Sequence, residues 1–125
     1  MKISVVSYLN SKPFIYGLEK NAIPEWNVSL DIPSVCARKL IAGEVELGLV
    51  PVASLLSIPD YQIVSPYCIG AIGKVDSVKL YSQVPVEKIE NVLLDYQSRT
   101  SVNLVQVLAR ELWKISPFWT NSESG

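Results

Sequence analysis

Four groups of side chains in this sequence carry chemistry at useful spacing. Ser7, Tyr8, Asn10 and Ser11 fall within one short stretch, Ser7-Tyr8-Leu9-Asn10-Ser11-Lys12-Pro13-Phe14. Ser98-Arg99-Thr100-Ser101 places three hydroxyls and a guanidinium side by side. Ser77 stands in Val75-Asp76-Ser77-Val78, and Asp31, Asp76 and Asp95 are the carboxylates nearest the ends of apolar runs. Hydroxyls, amides and a guanidinium bind and orient an anion, and the free N–H groups of a helix start add to that. Each group also has a plainer account. Ser7–Ser11 taken alone reads as a strand-to-helix turn that needs Asn and Ser for geometry. Ser98 or Thr100 taken alone reads as a helix cap beside a solvated Arg99. Ser77 reads as a solvent-facing strand residue alternating with Val78 and Leu80, and Tyr8 as a core aromatic or a cleft wall.

The sequence contains no histidine. Ser-His-Asp and Cys-His catalysis and imidazole-based metal centres therefore cannot be built from it. It also lacks the Gly-x-x-x-x-Gly-Lys phosphate loop and the Gly-x-Gly-x-x-Gly fingerprint. No metal or other cofactor is expected. Cys36 and Cys68 have apolar neighbours and no activating base, and both are expected to be core thiols. Reduced cysteines, one lysine before the first apolar run and no cleavage-site pattern fit a cytoplasmic protein. The net charge of −1 with interspersed charges offers no stripe for nucleic acid, and no run is long enough to span a bilayer. At 125 residues and 49% hydrophobic, the chain is globular with a sizeable core.

The elements that must position these groups alternate. Lys2–Val6 is predicted as a strand, Lys12–Lys20 as a helix carrying Phe14, Ile15 and Leu18 on one side, and Val28–Ile32 as a second strand. Pro33 opens a helix to Ile41 with Val35, Ala37, Leu40 and Ile41 as its stripe, closed by Gly43 in a left-handed cap. Leu47–Val50 is a short strand and Pro51 leads a helical turn over 52–58. Tyr61–Ile69 and Ser77–Tyr81 are predicted as extended segments joined by a glycine-containing bend. Asn91–Tyr96 is a strand, and Ser101–Lys114 a helix with Val102, Val105, Leu108, Ala109 and Leu112 in phase. The segment after Pro117 is predicted as a frayed polar tail. The fold class is α/β with a mostly parallel sheet and flanking helices.

Four motifs, in order, carry a resemblance. They are residues 7–14; Gly43-Glu44-Val45-Glu46-Leu47-Gly48-Leu49-Val50-Pro51-Val52; Cys68-Ile69-Gly70-Ala71-Ile72-Gly73 with Val75-Asp76-Ser77-Val78; and Leu94-Asp95-Tyr96-Gln97-Ser98-Arg99-Thr100-Ser101. Together they resemble the chorismate dehydratase family of menaquinone biosynthesis, of the futalosine pathway, from about residue 3 to about residue 117. The Ser-Tyr-Leu-Asn opening favours the dehydratase over the related enzyme that makes 1,4-dihydroxy-6-naphthoate.

The resemblance implies a two-lobed fold like the type 2 periplasmic binding proteins, with the ligand in the cleft, and loss of water from chorismate to give 3-[(1-carboxyvinyl)oxy]benzoate. It implies Asn10 and Ser77 as catalytic residues, and Tyr8, Ser11, Ser98, Arg99, Thr100 and Ser101 as substrate-binding residues. An amide is not a competent base, so Asn10 is expected to orient and to stabilise charge. The residues identify no base, and the absence of histidine motivates the hypothesis that one carboxylate of chorismate takes the proton itself. Family members are about twice as long, as two lobes of ordinary domain size require. Residues 1–84 are therefore expected to give an incomplete first lobe, 85–117 the start of the second and 118–125 the tail, with 82–90 crossing between lobes. Unfinished sheet edges invite self-association. The competing readings are a non-catalytic binding protein for a small anion on the same fold, and an inactive fragment.

Overall fold

The computed structural model describes residues 1–122. The chain divides into two units, Met1–Gly70 and Ala71–Gly125.

The first unit opens with β1 (Lys2–Val6), a single 3-10 turn at Leu9–Ser11 and α1 (Lys12–Lys20). β2 (Asn27–Asp31), α2 (Pro33–Ile41) and β3 (Leu47–Gly48) follow, then a 3-10 stretch at Val52–Ser57. The strands form a parallel sheet in the order β2-β1-β3, with Ser4 opposite both Ser29 and Gly48. Successive strand residues point to opposite faces, so β1 sorts its side chains in two. Ile3 and Val5 join Ile15 of α1 in the buried core, with Leu18, Trp26, Leu47 and Leu49 packed against it. Full burial of a side chain such as Ile15 contributes roughly 1.5–3 kcal/mol. Ser4 lies on the opposite face with Ser29 and Asp31, beneath Cys36 and Lys39 of α2.

Both predicted helices of this unit form at their expected bounds. Proline sits in the first turn of each, where its fixed φ suits a helix and its missing N–H costs nothing. Gly43 closes α2 at φ +66, the left-handed cap its position predicts. The buried side of α2 differs from the predicted stripe. Cys36 and Ala37 are fully buried, whereas Ile41 lies exposed at the last turn. Gly48 lies in close quarters where α2 packs on β3: a Cβ there would lie 3.4 Å from Leu40 Cδ2 and 3.3 Å from Val50 Cγ1, so these side chains would have to give by a few tenths of an ångström.

Two expectations fail between residues 49 and 81. The third strand stops at Gly48 rather than Val50, and neither Tyr61–Ile69 nor Ser77–Tyr81 enters a sheet. Their β-branched and aromatic residues lie in irregular chain, with Ile63, Val64, Tyr67 and Tyr81 largely exposed. Strand propensity reports fit to a pleated, half-buried surface, and among the described residues no strand pairs with these segments to provide one.

The second unit contains a 3-10 turn at Val86–Lys88, then β4 (Asn91–Leu94), α3 (Thr100–Leu108), a π turn at Ala109–Trp113 and β5 (Phe118–Asn121). β4 and β5 pair in parallel, Asn91 opposite Phe118 and Leu94 opposite Asn121. Val92 and Leu94 are buried while Leu93 between them is exposed, so β4 buries one face. Two predictions are corrected here. Residues 118–122, expected in a frayed tail, are paired instead: Phe118 donates its N–H to the Glu90 carbonyl and Ser122 donates to that of Leu94, and these bonds hold β5 in the sheet, while residues 123–125 of that expected tail lie outside the described residues. The last helix does not run regularly to Lys114. A π turn takes more residues than an α turn, so it rotates the side chains beyond it about the helix axis. Leu112, in phase for an unbroken α-helix, is 67% exposed, and Trp113 turns partly inward instead. Lys114 ends the turn at φ 55.

Candidate active site

Each unit places a polar turn between the C-terminal end of its first strand and the N-terminus of the next helix. In the first unit β1 ends at Val6 and the chain passes through Ser7–Ser11 into α1. The parallel ladder carries one bond further, as Ser7 donates its N–H to the Asp31 carbonyl at 2.9 Å. The Ser11 N–H then folds back to the Tyr8 carbonyl at 3.0 Å. Asn10 is exposed at the tip of this turn and Tyr8 is 39% exposed. Ser11 is fully buried, and its hydroxyl has no hydrogen-bond partner among the described residues.

In the second unit β4 ends at Leu94 and residues 95–99 lead into α3. Asp95 Oδ1 accepts the Gln97 N–H at 3.0 Å, a side-chain turn that occupies this carboxylate structurally. Ser98 Oγ accepts the Ser101 N–H at 3.2 Å, so Ser98, the residue before the N-cap Arg99, satisfies one first-turn donor of α3. Ser98, Arg99, Thr100 and Ser101 are all half-buried around the helix start. The first-turn N–H groups of α3 have no partner within the helix, and their partial positive charge favours an anion.

Tyr8, Asn10 and Ser11 thus share one turn, and Ser98, Arg99, Thr100 and Ser101 another. Ser77 belongs to an exposed irregular stretch of the second unit and not to a strand. Its neighbour Asp76 forms an exposed ion pair with Lys74 at 2.9 Å. Two shallow hollows, one in each unit, are lined by none of the residues of these turns. One of about 290 Å³ is lined by apolar residues including Ile15, Leu18, Trp26 and Leu30. The other, about 450 Å³, is lined by Glu87, Glu90, Asn91 and Phe118 among others.

The cysteines separate in character. Cys36 is fully buried, and burial pushes its thiol above the ordinary value, so it is protonated and inert at neutral pH. Cys68, expected in the core, is exposed instead, because the segment that carries it is irregular.

One polar cluster escaped the reading of the sequence. Asp31 Oδ2 accepts from Lys39 Nζ at 2.6 Å and from Ser4 Oγ and Ser29 Oγ at 2.8 Å each. Burial pushes the Asp31 carboxyl up, but the hydrogen bonds from Lys39, Ser4 and Ser29 outweigh it and hold the group below the usual carboxylate range. The signal was present as Ser4 in the apolar run of β1 and as Ser29 and Asp31 on the polar phase of the alternating β2. Only the register that puts Ser4 and Ser29 opposite each other turns it into a site.

Residues 1–123 match the model of a family described as menaquinone biosynthesis. The chain belongs to this family, which is that of chorismate dehydratase. Membership spans both polar turns, so the Ser7–Ser11 and Ser98–Ser101 segments are both parts of a menaquinone-biosynthetic enzyme sequence. Among the described residues, no helix is long and apolar enough to cross a membrane.

Proposed function

We propose that this protein acts in the dehydration of chorismate to 3-[(1-carboxyvinyl)oxy]benzoate, as a carbon–oxygen lyase of menaquinone biosynthesis in the cytoplasm. The observation that carries the reading is that the Ser-Tyr-Leu-Asn stretch, within the residues that match the family, forms the turn after β1, at the C-terminal strand end where α/β proteins bind ligands. The half-buried α3 start supports it, since hydroxyls, N–H groups and a guanidinium suit a substrate with two carboxylates. The fold that fits this reading is the two-lobed, periplasmic-binding-protein-like one, with the ligand in the cleft.

The reaction breaks one ring C–H and one C–O bond, releases water and leaves an aromatic ring. Aromatisation supplies much of the driving force, so the protein's task is to hold two anions and align the breaking bonds. Thr100, Ser101 and Arg99 bind carboxylate, with Ser98 holding the helix start and Tyr8 and Ser11 shaping the first turn. Asn10 and Ser77 orient the substrate and stabilise developing charge. In this reading a carboxylate of chorismate accepts the ring proton, an assignment motivated by the absence of histidine from the chain.

Incubation of the purified chain with chorismate, followed by chromatography against a no-enzyme control, tests this. Formation of the carboxyvinyloxy-benzoate is expected, with a loss of about 10²–10³-fold in kcat for Asn10→Ala. Chorismate decay at the control rate overturns the catalytic reading. Saturable chorismate binding without turnover would then mark a binding protein. An analogue lacking the enolpyruvyl carboxylate should eliminate water poorly if that group takes the proton, and full activity with it would exclude proton transfer to that carboxylate.

A further inference from the structure

Asp31 ties three elements together at the point where the Ser7–Ser11 turn begins. Its main-chain carbonyl receives the Ser7 N–H at 2.9 Å, the last bond between β2 and the chain leaving β1. Its carboxylate receives Ser4 of β1, Ser29 of β2 and Lys39 of α2. Lys39 Nζ also reaches Ser29 Oγ at 3.2 Å, closing the cluster. Ser4 is fully buried, and the side chains of Asp31 and Lys39 are only 15% and 21% exposed. Apolar residues of the same volume would fill such a space with equal or greater stability. A polar cluster brings what apolar packing does not, fixed distances and a single geometry. Here that geometry is imposed on the residue whose carbonyl anchors Ser7, three positions before Asn10.

We propose that Asp31 and Lys39 are positioning residues: their partly buried ion pair, with Ser4 and Ser29, fixes the end of β2 so that the Asp31 carbonyl holds Ser7 and thereby places the turn bearing Tyr8 and Asn10. They touch no substrate. Their effect on catalysis rests on the dehydratase reading above, whereas their effect on the turn does not. A displacement of about 1 Å at a reacting group costs on the order of 10²-fold in rate. Loss of the pair should therefore lower kcat while leaving carboxylate binding at α3 intact.

The test combines kinetics with amide hydrogen exchange on the full chain, for wild type, Asp31→Asn, Lys39→Met and Lys39→Arg. Asp31→Asn and Lys39→Met are expected to lower kcat by about 10–100-fold with KM within about twofold of wild type. Lys39→Arg, which keeps the charge, is expected to recover most of the loss. Exchange at the Ser7 amide should accelerate about tenfold more than at Val5, in the interior of the same strand. Equal acceleration at Ser7 and Val5 would mean general destabilisation and would overturn the proposal, as would unchanged exchange at both. The exchange comparison stands even if wild type shows no turnover, a result that would count against the proposed reaction alone. Should Asp31→Asn fail to fold, Ser29→Ala, which removes one donor and no charge, carries the same comparison between Ser7 and Val5.

Discussion

Lys39 Nζ lies 2.6 Å from Asp31 Oδ2, an oxygen that also accepts two serine hydroxyls, Ser29 of its own strand and Ser4 of the neighbouring one. Three donors on one partly buried carboxylate favour its charged form, which is why its proton affinity is depressed although burial acts the other way. Because the folded-state value lies below the unfolded one, the unfolded chain takes up the proton first as pH falls. The stabilisation from Asp31 is therefore complete above about pH 4 and is lost as pH drops through the lower folded value. Urea unfolding of wild type should weaken between pH 6 and pH 3 by more than that of Asp31→Asn. At pH 7 the substitution should cost about 1–3 kcal/mol, since it leaves Lys39 without its partner. Parallel pH curves for the two proteins would remove Asp31 from the acid response.

The two thiols should differ sharply in reactivity. Cys68 is exposed, and Cys36 is buried with its thiolate disfavoured. An aromatic disulfide reagent should titrate one thiol quickly in the native protein and the second only on adding denaturant. Cys68→Ser should abolish the fast phase. Two fast thiols in the native state would contradict the burial of Cys36.

Two glycine-to-alanine substitutions should act in opposite directions. Gly43 adopts φ +66 with no atom within 4 Å of an added Cβ, so Gly43→Ala carries only the left-handed backbone penalty of about 1–2 kcal/mol. Gly17 lies inside α1 with equally open space around it, and there alanine relieves the glycine penalty by about 0.5–1 kcal/mol. Chemical denaturation of both variants reads the signs directly. A stabilised Gly43→Ala would show that the α2 cap is not left-handed in solution.

At the start of α3, Ser98 and Thr100 should separate. Ser98 Oγ accepts the Ser101 N–H, so Ser98→Ala should destabilise the second unit by about 1 kcal/mol. Thr100 is the first residue of the helix rather than its side-chain cap, and Thr100→Ala should stay within about 0.5 kcal/mol. In chorismate turnover the order should reverse, with Thr100→Ala costing more than its small stability change accounts for. Equal stability losses from both would place the cap elsewhere.

The local signals in the sequence were sufficient where the physics is local. Proline in the first turn, glycine in the left-handed region and apolar residues at helical spacing set the bounds of α1 and α2 without help from the rest of the chain. The order strand, polar turn, helix was legible around Ser7–Ser11 and Ser98–Ser101 for the same reason, and the motifs there carried the family. The β-branched runs at 61–69 and 77–81 misled because a strand exists only where a partner strand pairs with it, a non-local fact. The tail misled in the opposite sense. Phe118–Asn121 is a strand because β4 lies beside it, not because of its own composition.

What the sequence determined by itself was therefore the α/β alternation, the helix ends and the residues of two anion-suited turns, all set by backbone preferences within a few positions. Only the tertiary structure decided which side chains meet. It buried Cys36 and exposed Cys68, rotated Leu112 outward through a π turn, and joined Ser4, Ser29, Asp31 and Lys39 into one cluster. Those outcomes depend on strand register and on how a helix lies across a sheet. Both are settled by the competing burial of many residues at once, and no short window of sequence contains them.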